Sequence, residues 1–263
     1  MGERTGGRNR TQNRDNRPVI PYVAIPRLSL PGGVSVGVFL LTTWIGVAAG
    51  WRIALRRGRE AGVPPGEMRG ALVWILCAGF IGAHLVAITI YAPAMLANDP
   101  LALFKIGVGM SSFGGFAGGM AGAFLYFRRL RRAWLAEAAI LTEALVVAWI
   151  FGRLGCALVH DHLGGPTSFA LAIRFPAGVF HDLGWYEFLF TLLVLWPSIR
   201  LTRHKSRNPA WTIAVACLLY APVRFGLDFL RLDDARYAGL TPAQWGAAAL
   251  AVFGFWLVVV IHQ

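Results

Sequence analysis

The feature that most restricts this chain is a succession of apolar runs, each close to the roughly 20 residues needed to cross a bilayer core of about 30 Å. They fall near 33–55, 70–92, 108–127, 133–152, 184–200, 209–230 and 241–261. Lipid offers no partners for backbone N–H and C=O groups, so runs of this length predict helices that satisfy those groups internally. The expected fold class is all-α: a polytopic integral membrane protein with about seven transmembrane helices. Composition agrees, with 56% hydrophobic and only 14% charged residues, where a soluble domain carries about 25% charged. In the third run Gly114, Gly118 and Gly122 recur at helical spacing beside Gly115 and Gly119. Small residues so placed let a neighbouring backbone approach closely.

The formal charge of +12 has its explanation in topology, because loops facing the cytosol accumulate Lys and Arg; no nucleic-acid partner is expected. Arg52, Arg56, Arg57, Arg59 and Arg69 follow the first span, Arg128, Arg129, Arg131 and Arg132 the third, and Arg200, Arg203, Lys205 and Arg207 the fifth. These loops are expected inside and the alternate ones outside. Residues 1–30 form a disordered basic tail, with Arg4, Arg8, Arg10, Arg14 and Arg17 set among polar residues and too little apolar surface to fold. An odd number of spans puts that tail on the outer side, against the charge rule. Its apolar end, Val19 to Leu30, is broken by Pro21 and Pro26 and is expected along the interface. Residues 31–263 make one membrane domain.

Polar chemistry is concentrated in one connection, an outward-facing loop over 153–183. It carries Arg153, His160, Asp161, His162, Arg174, His181 and Asp182, and long loops in compact proteins are usually functional. Tyr186 and Glu187 open the next span, where a carboxylate needs a reason to be. On the sixth span Tyr220, Arg224 and Asp228 lie one helical turn apart on one face. That face is either an internal Arg224–Asp228 ion pair or an anion site shared with Arg153. Cys77, Cys156 and Cys217 stand singly, which supports neither a disulfide framework nor a thiolate metal site.

These residues fall into an order that resembles the prolipoprotein diacylglyceryl transferase family, from about residue 35 onward. The family block G-R-[LI]-G-N-F-x-N-G-E-x-x-G is met by Gly152-Arg-Leu-Gly-Cys156 and then His160-Asp161-His162-Leu-Gly164. The element H-P-[ST]-Q-L-Y-E reads His181-Asp-Leu-Gly-Trp-Tyr186-Glu187, and Tyr-x3-Arg-x3-Glu reads Tyr220, Arg224 and Asp228. The glycine-rich element appears as Ser111-Ser-Phe113-Gly-Gly-Phe-Ala-Gly-Gly119, and the opening of the last span as Gly239-Leu-Thr-Pro-Ala-Gln-Trp245. The resemblance implies transfer of the diacylglyceryl group of phosphatidylglycerol to the lipobox cysteine of a preprolipoprotein, with glycerol phosphate leaving. Its expected partners are phosphatidylglycerol, the lipobox peptide and the bilayer, in a bacterial cytoplasmic membrane with the site facing the periplasm or exterior. No cofactor is expected.

The departures from the family bear on mechanism. Its third-span histidine, the base that would activate the acceptor thiol, is Phe113 here, its first block asparagine is Cys156, its span-two arginine is His84, and its Tyr-Gly reads Val36-Gly37. Arg153 and Arg224 suit the leaving phosphate, because guanidinium binds phosphate oxygens in pairs and stays charged. With them, Tyr220, Asp228, Gly164, Tyr186 and Glu187 form the expected substrate-binding set. His160, His162 and His181 are candidate bases, with Asp161 orienting one ring. Alternatively, His-Asp-His is a polar turn. Two other readings stay open: a protein that binds or presents phospholipid or lipoprotein without transfer, and a metal-dependent phospholipid hydrolase or transferase using His160, Asp161, His162 and His181.

Overall fold

A computed structural model describes residues 19–25, 28–29, 35–105, 109–131, 134–206, 208–232 and 235–263. The arginines expected in the basic tail lie outside the described residues, as do Arg132 and Arg207. The helices are α1 Val38–Glu60, α2 Pro65–Val86, α3 Pro93–Asn98, α4 Ser112–Arg129, α5 Trp134–Val159, α6 Leu183–Phe190, α7 Trp196–Lys205, α8 Ala210–Leu227 and α9 Pro242–His262. A π turn at Ala87–Tyr91 extends α2, another at Thr191–Leu195 joins α6 to α7, and a 3-10 turn at Asp228–Leu230 extends α8.

Five of these helical stretches are long and apolar enough to span a membrane: those containing α1, α2, α5, α8 and α9. The other two expected spans are helical too. In α4, however, glycines and the closing Arg128 and Arg129 dilute the apolar content, and Glu187 and Arg200 do the same to α6–α7. The chain is an all-α polytopic membrane protein in class.

The bundle is built from close antiparallel pairs, α1 with α5, α2 with α4, and α8 with α9. Each pair is zipped by glycine. A Cβ on Gly82 of α2 would stand 2.5 Å from the Gly114 carbonyl oxygen, and one on Gly46 of α1 would stand 2.6 Å from that of Ala148. A Cβ on Gly254 of α9 would stand 2.8 Å from the Cβ of Cys217. The Gly114, Gly118 and Gly122 row expected from sequence therefore serves backbone approach, through which lipid-embedded helices gain dispersion contact.

The arginines that close α1, α4 and α7 gather at one end of the bundle. There buried Glu143 of α5 meets Arg57 Nε at 3.1 Å and Arg203 Nη1 at 2.9 Å, tying three helices together. The opposite end is covered by a four-stranded sheet: β1 Ile20–Pro21, β4 Leu163–Pro166, β5 Ile173–Phe175 and β6 Gly178–Asp182, in the order β1-β5-β6-β4. A separate two-stranded pair joins β2 Leu28–Ser29 to β3 Ser35–Val36.

Two boundaries differ from expectation. Arg153 lies inside α5 and not in a loop, because the helix runs on through Gly155 and Cys156 to Val159. And Ile20–Pro21, expected in the tail, form an edge strand that pairs in parallel with Ile173–Arg174, with Pro21 and Tyr22 exposed.

Candidate active site

The sheet end of the bundle holds the polar chemistry, and Glu187 is its hub. Asp182 caps α6 by accepting the Trp185 backbone N–H at 2.9 Å, which points the helix, and Glu187 with it, into the core. Glu187 is fully buried. Arg153 Nε from α5 lies 3.1 Å from one of its oxygens, and Arg224 Nη1 from α8 lies 3.3 Å from the other. The Tyr220 hydroxyl, one turn before Arg224, donates to the same carboxylate. A carboxylate this deep is tolerable only with such company, since an unpaired buried ion costs several kcal/mol.

Behind this hub is a support. Arg224 Nη2 pairs with Asp228 Oδ1 at 2.9 Å, and Asp228 accepts from the Thr241 hydroxyl. Thr241 and Gln244 form a reciprocal capping box at the start of α9, while Gln244 Nε2 donates to the Phe225 carbonyl at 3.2 Å. Asp228, Thr241 and Gln244 are fully buried. On the other side the Arg153 guanidinium sits 4.1 Å from the ring centre of Trp149, one helical turn earlier.

In front of Arg153 the site acquires its reactive groups. Arg153 Nη1 lies 3.8 Å from Cys156 Sγ. His160 takes a left-handed conformation, φ 53°, directly after the last residue of α5. This reverses the chain, so Asp161 and His162 return over the final helical turn. His162 Nδ1 meets Asp161 Oδ1, and ligand atoms of Cys156, Asp161 and His162 all lie within 4.8 Å of one another.

The structure divides the expected catalytic set. His160 Nδ1 binds Asp182 at 2.6 Å, and its ring packs against Tyr22 and Phe175, which also touch each other. Burial lifts the Asp182 carboxyl above its ordinary range, and the bond from His160 offsets part of that. His181 Nδ1 faces the Tyr186 hydroxyl at 3.0 Å in an aromatic group with Phe169, and burial pulls its basicity below that of a free imidazole. His160 and His181 thus brace the sheet, and the four-residue metal set of two rings, His162 and Asp161 is not assembled.

Other expectations resolve similarly. Gly164 bridges to Arg231, and a Cβ there would stand 2.9 Å from the Leu230 carbonyl oxygen, so close packing explains the glycine. Phe113 opens α4 with its ring filling the space beside Gly246 of α9. His84 Nε2 binds the Leu103 carbonyl at 3.0 Å. Trp149 escaped the sequence reading altogether, while Asp182 stood there only among the polar residues of the loop, and Thr241 and Gln244 only within the motif that opens the last span. Thr-Pro-Ala-Gln is nonetheless a legible capping box, and Trp149 stands at i, i+4 to Arg153.

Relatives share this arrangement of sequence. A phosphatidylglycerol–prolipoprotein diacylglyceryl transferase of Nitratidesulfovibrio vulgaris is 28% identical, covering 90% of this chain and 95% of the relative. One from Leifsonia xyli is 27% identical over 86% of this chain and 74% of its own length. Phosphatidylglycerol–prolipoprotein diacylglyceryl transferase 2 of Clostridium perfringens is 25% identical over 74% of this chain and 79% of its own length. The sequence profile of prolipoprotein diacylglyceryl transferase matches residues 27–260, spanning the bundle, the buried Arg153–Glu187–Arg224 hub and its α9 support, and the chain belongs to that family.

Proposed function

We propose that this protein transfers diacylglyceryl from phosphatidylglycerol to a lipobox cysteine of a prolipoprotein, releasing glycerol phosphate. The observation that carries this reading is the buried Arg153–Glu187–Arg224 hub, which opens onto a thiol, a carboxylate and an imidazole at Cys156, Asp161 and His162. An anionic head group finds guanidinium N–H groups held in place and shielded from water, where they stabilise developing charge most strongly. The relatives named above carry this activity in their names.

In the reaction the acceptor thiol loses its proton and its sulfur attacks the glyceryl carbon. The C–O bond to phosphate breaks, and the electron pair leaves on the phosphate oxygen. Arg153 meets that charge. Arg224, fixed by Glu187 and Asp228, holds the hub in shape and lends the second cation. With position 113 occupied by phenylalanine, the proton acceptor is His162, whose ring is oriented by Asp161. The sheet end, opposite the arginine-rich helix termini, faces outward by the charge rule, and the full membrane domain crosses seven times.

The test uses the purified protein in nanodiscs with phosphatidylglycerol and a lipobox peptide. Thioether-linked diacylglyceryl peptide and glycerol phosphate should form together in equal amounts and be lost in Arg153→Gln. Glycerol phosphate without modified peptide would make the protein a hydrolase. Lipid binding through Arg153 with neither product would leave a presenting protein, a reading favoured by the missing histidine at Phe113.

A further inference from the structure

We propose that Cys156, Asp161 and His162 form a binding site for a soft divalent cation of the zinc class, and that its open position takes the acceptor cysteine thiol.

The residues are brought together by one local device. Cys156 lies on the last turn of α5, and the left-handed turn at His160 folds Asp161 and His162 back over it. Their ligand atoms are mutually within 4.8 Å. Tetrahedral bonds of about 2.0–2.3 Å place ligand atoms roughly 3.3–3.8 Å apart, so side-chain rotation of about an ångström completes the set. Cys156 is buried, while His162 and Asp161 are partly exposed, with side chains 20% and 40% accessible. The site therefore has a closed floor and an open mouth.

The donor set selects the ion. One sulfur, one nitrogen and one oxygen suit zinc-class cations, whereas magnesium and calcium prefer all-oxygen shells. Three protein ligands with a fourth position free is the form taken by catalytic zinc. The nearest cation, Arg153, already has Glu187 at 3.1 Å, so the approaching ion does not meet an uncompensated charge. His160 and His181, the other rings at this end, are engaged with Asp182 and Tyr186.

The chemical consequence concerns the gap at Phe113. A thiol coordinated to such an ion is deprotonated outright, so in the metal-bound site His162 is a ligand and is relieved of the role of base that it has in the metal-free reaction. The acceptor S–H gives its proton to water and its sulfur binds the metal. A sulfur–carbon bond then forms to the glyceryl carbon, and the carbon–oxygen bond to phosphate breaks with its electron pair leaving on phosphate. This last step rests on the transferase reading, but the metal site itself does not.

The experiment takes the whole protein in nanodiscs, stripped with chelator and titrated with cobalt(II) or cadmium(II). A thiolate-to-metal charge-transfer band should saturate at one equivalent and persist in Cys77→Ser, which removes the exposed thiol. It should vanish in Cys156→Ser and Cys156→Ala, and His162→Ala and Asp161→Asn should weaken binding by roughly a hundredfold. Lipobox peptide, but not its cysteine-to-serine form, should intensify the band, and zinc should restore transfer to stripped protein. Absence of the band, or its survival without Cys156, overturns the site. If transfer then runs metal-free, His162 is the base and the transferase reading stands. A band unmoved by peptide overturns the acceptor role. A peptide-sensitive band with no turnover under any metal upholds the site and refutes the transferase reading instead.

Discussion

Glu143 and Glu187 are both buried carboxylates that draw in two arginines, at opposite ends of the same bundle. Around Glu143 the side chains of Arg57 and Arg203 remain 22% and 21% exposed. Around Glu187 those of Arg153 and Arg224 are 3% and 10% exposed. The first cluster keeps its guanidinium groups partly wet, avoids most of the desolvation cost, and pins three helices with Glu60 on Arg57 as its added partner. The second strips its ions of water and then needs Tyr220, Asp228 with Thr241, and Trp149 to recover the loss. Stability alone does not demand such a construction, because replacing a buried ion cluster by apolar side chains is often neutral or stabilising. A desolvated, over-supported pair of arginines beside reactive side chains makes sense as a site for an anion. The Glu143 cluster makes sense as a clamp.

The comparison breaks most sharply on the two carboxylates. Under the proposed function, Glu187→Gln should reduce product formation by roughly a thousandfold, since it releases both guanidinium groups assigned there to the leaving phosphate. Glu143→Gln should leave turnover within about threefold while lowering the melting temperature, its cost being that of a partly wet ion pair, about 1 kcal/mol. Equal losses of turnover in the two variants, measured by mass spectrometry of the peptide product, would erase the distinction.

The arginines sharpen it next. Arg153→Lys keeps the charge but loses the paired N–H geometry and the stacking on Trp149, and should cost roughly a hundredfold in turnover. Arg57→Lys should cost less than about twofold. Further from the chemistry, Thr241→Val removes the cap of α9 and the hydroxyl that holds Asp228. It should lower stability by about 1 kcal/mol and turnover by a smaller factor than Arg153→Lys. Chemical denaturation and steady-state assay of one preparation separate the two effects.

The smallest effect lies in the sheet. Burial raises Asp182 above its ordinary value of 3.8, so the folded state binds a proton more tightly than the unfolded one. The stabilisation this gives is present in full below 3.8 and is lost as pH rises through the raised value. Asp182→Asn should flatten that part of the stability profile. Melting curves taken upward from about pH 4 will show whether the slope depends on Asp182.

How much of this was legible beforehand differs by region. Helices were visible from apolar length alone, and Tyr220, Arg224 and Asp228 from turn spacing, because both depend on local periodicity. The loop boundary drawn at Arg153 was not, because a polar residue in the last turns of α5 looks like a loop until Glu187 from another helix is seen to neutralise it. The histidines were found as a group, but their division was hidden. Whether a ring braces a sheet or faces the site depends on Asp182 and Tyr22, residues distant in sequence from the block they support.

By itself the sequence determined the membrane, the helices, the arginine-rich end and the family order of motifs. These follow from transfer free energies and short-range geometry, which each segment carries with it. Only the tertiary structure decided that Glu187 is the hub, that Asp228 faces inward to Thr241, and that Cys156 stands beside Asp161 and His162. Those relations join separate helices, or turn on a single left-handed residue. The free energy of a buried charge is set by whatever other elements bring to it, and no local pattern records that.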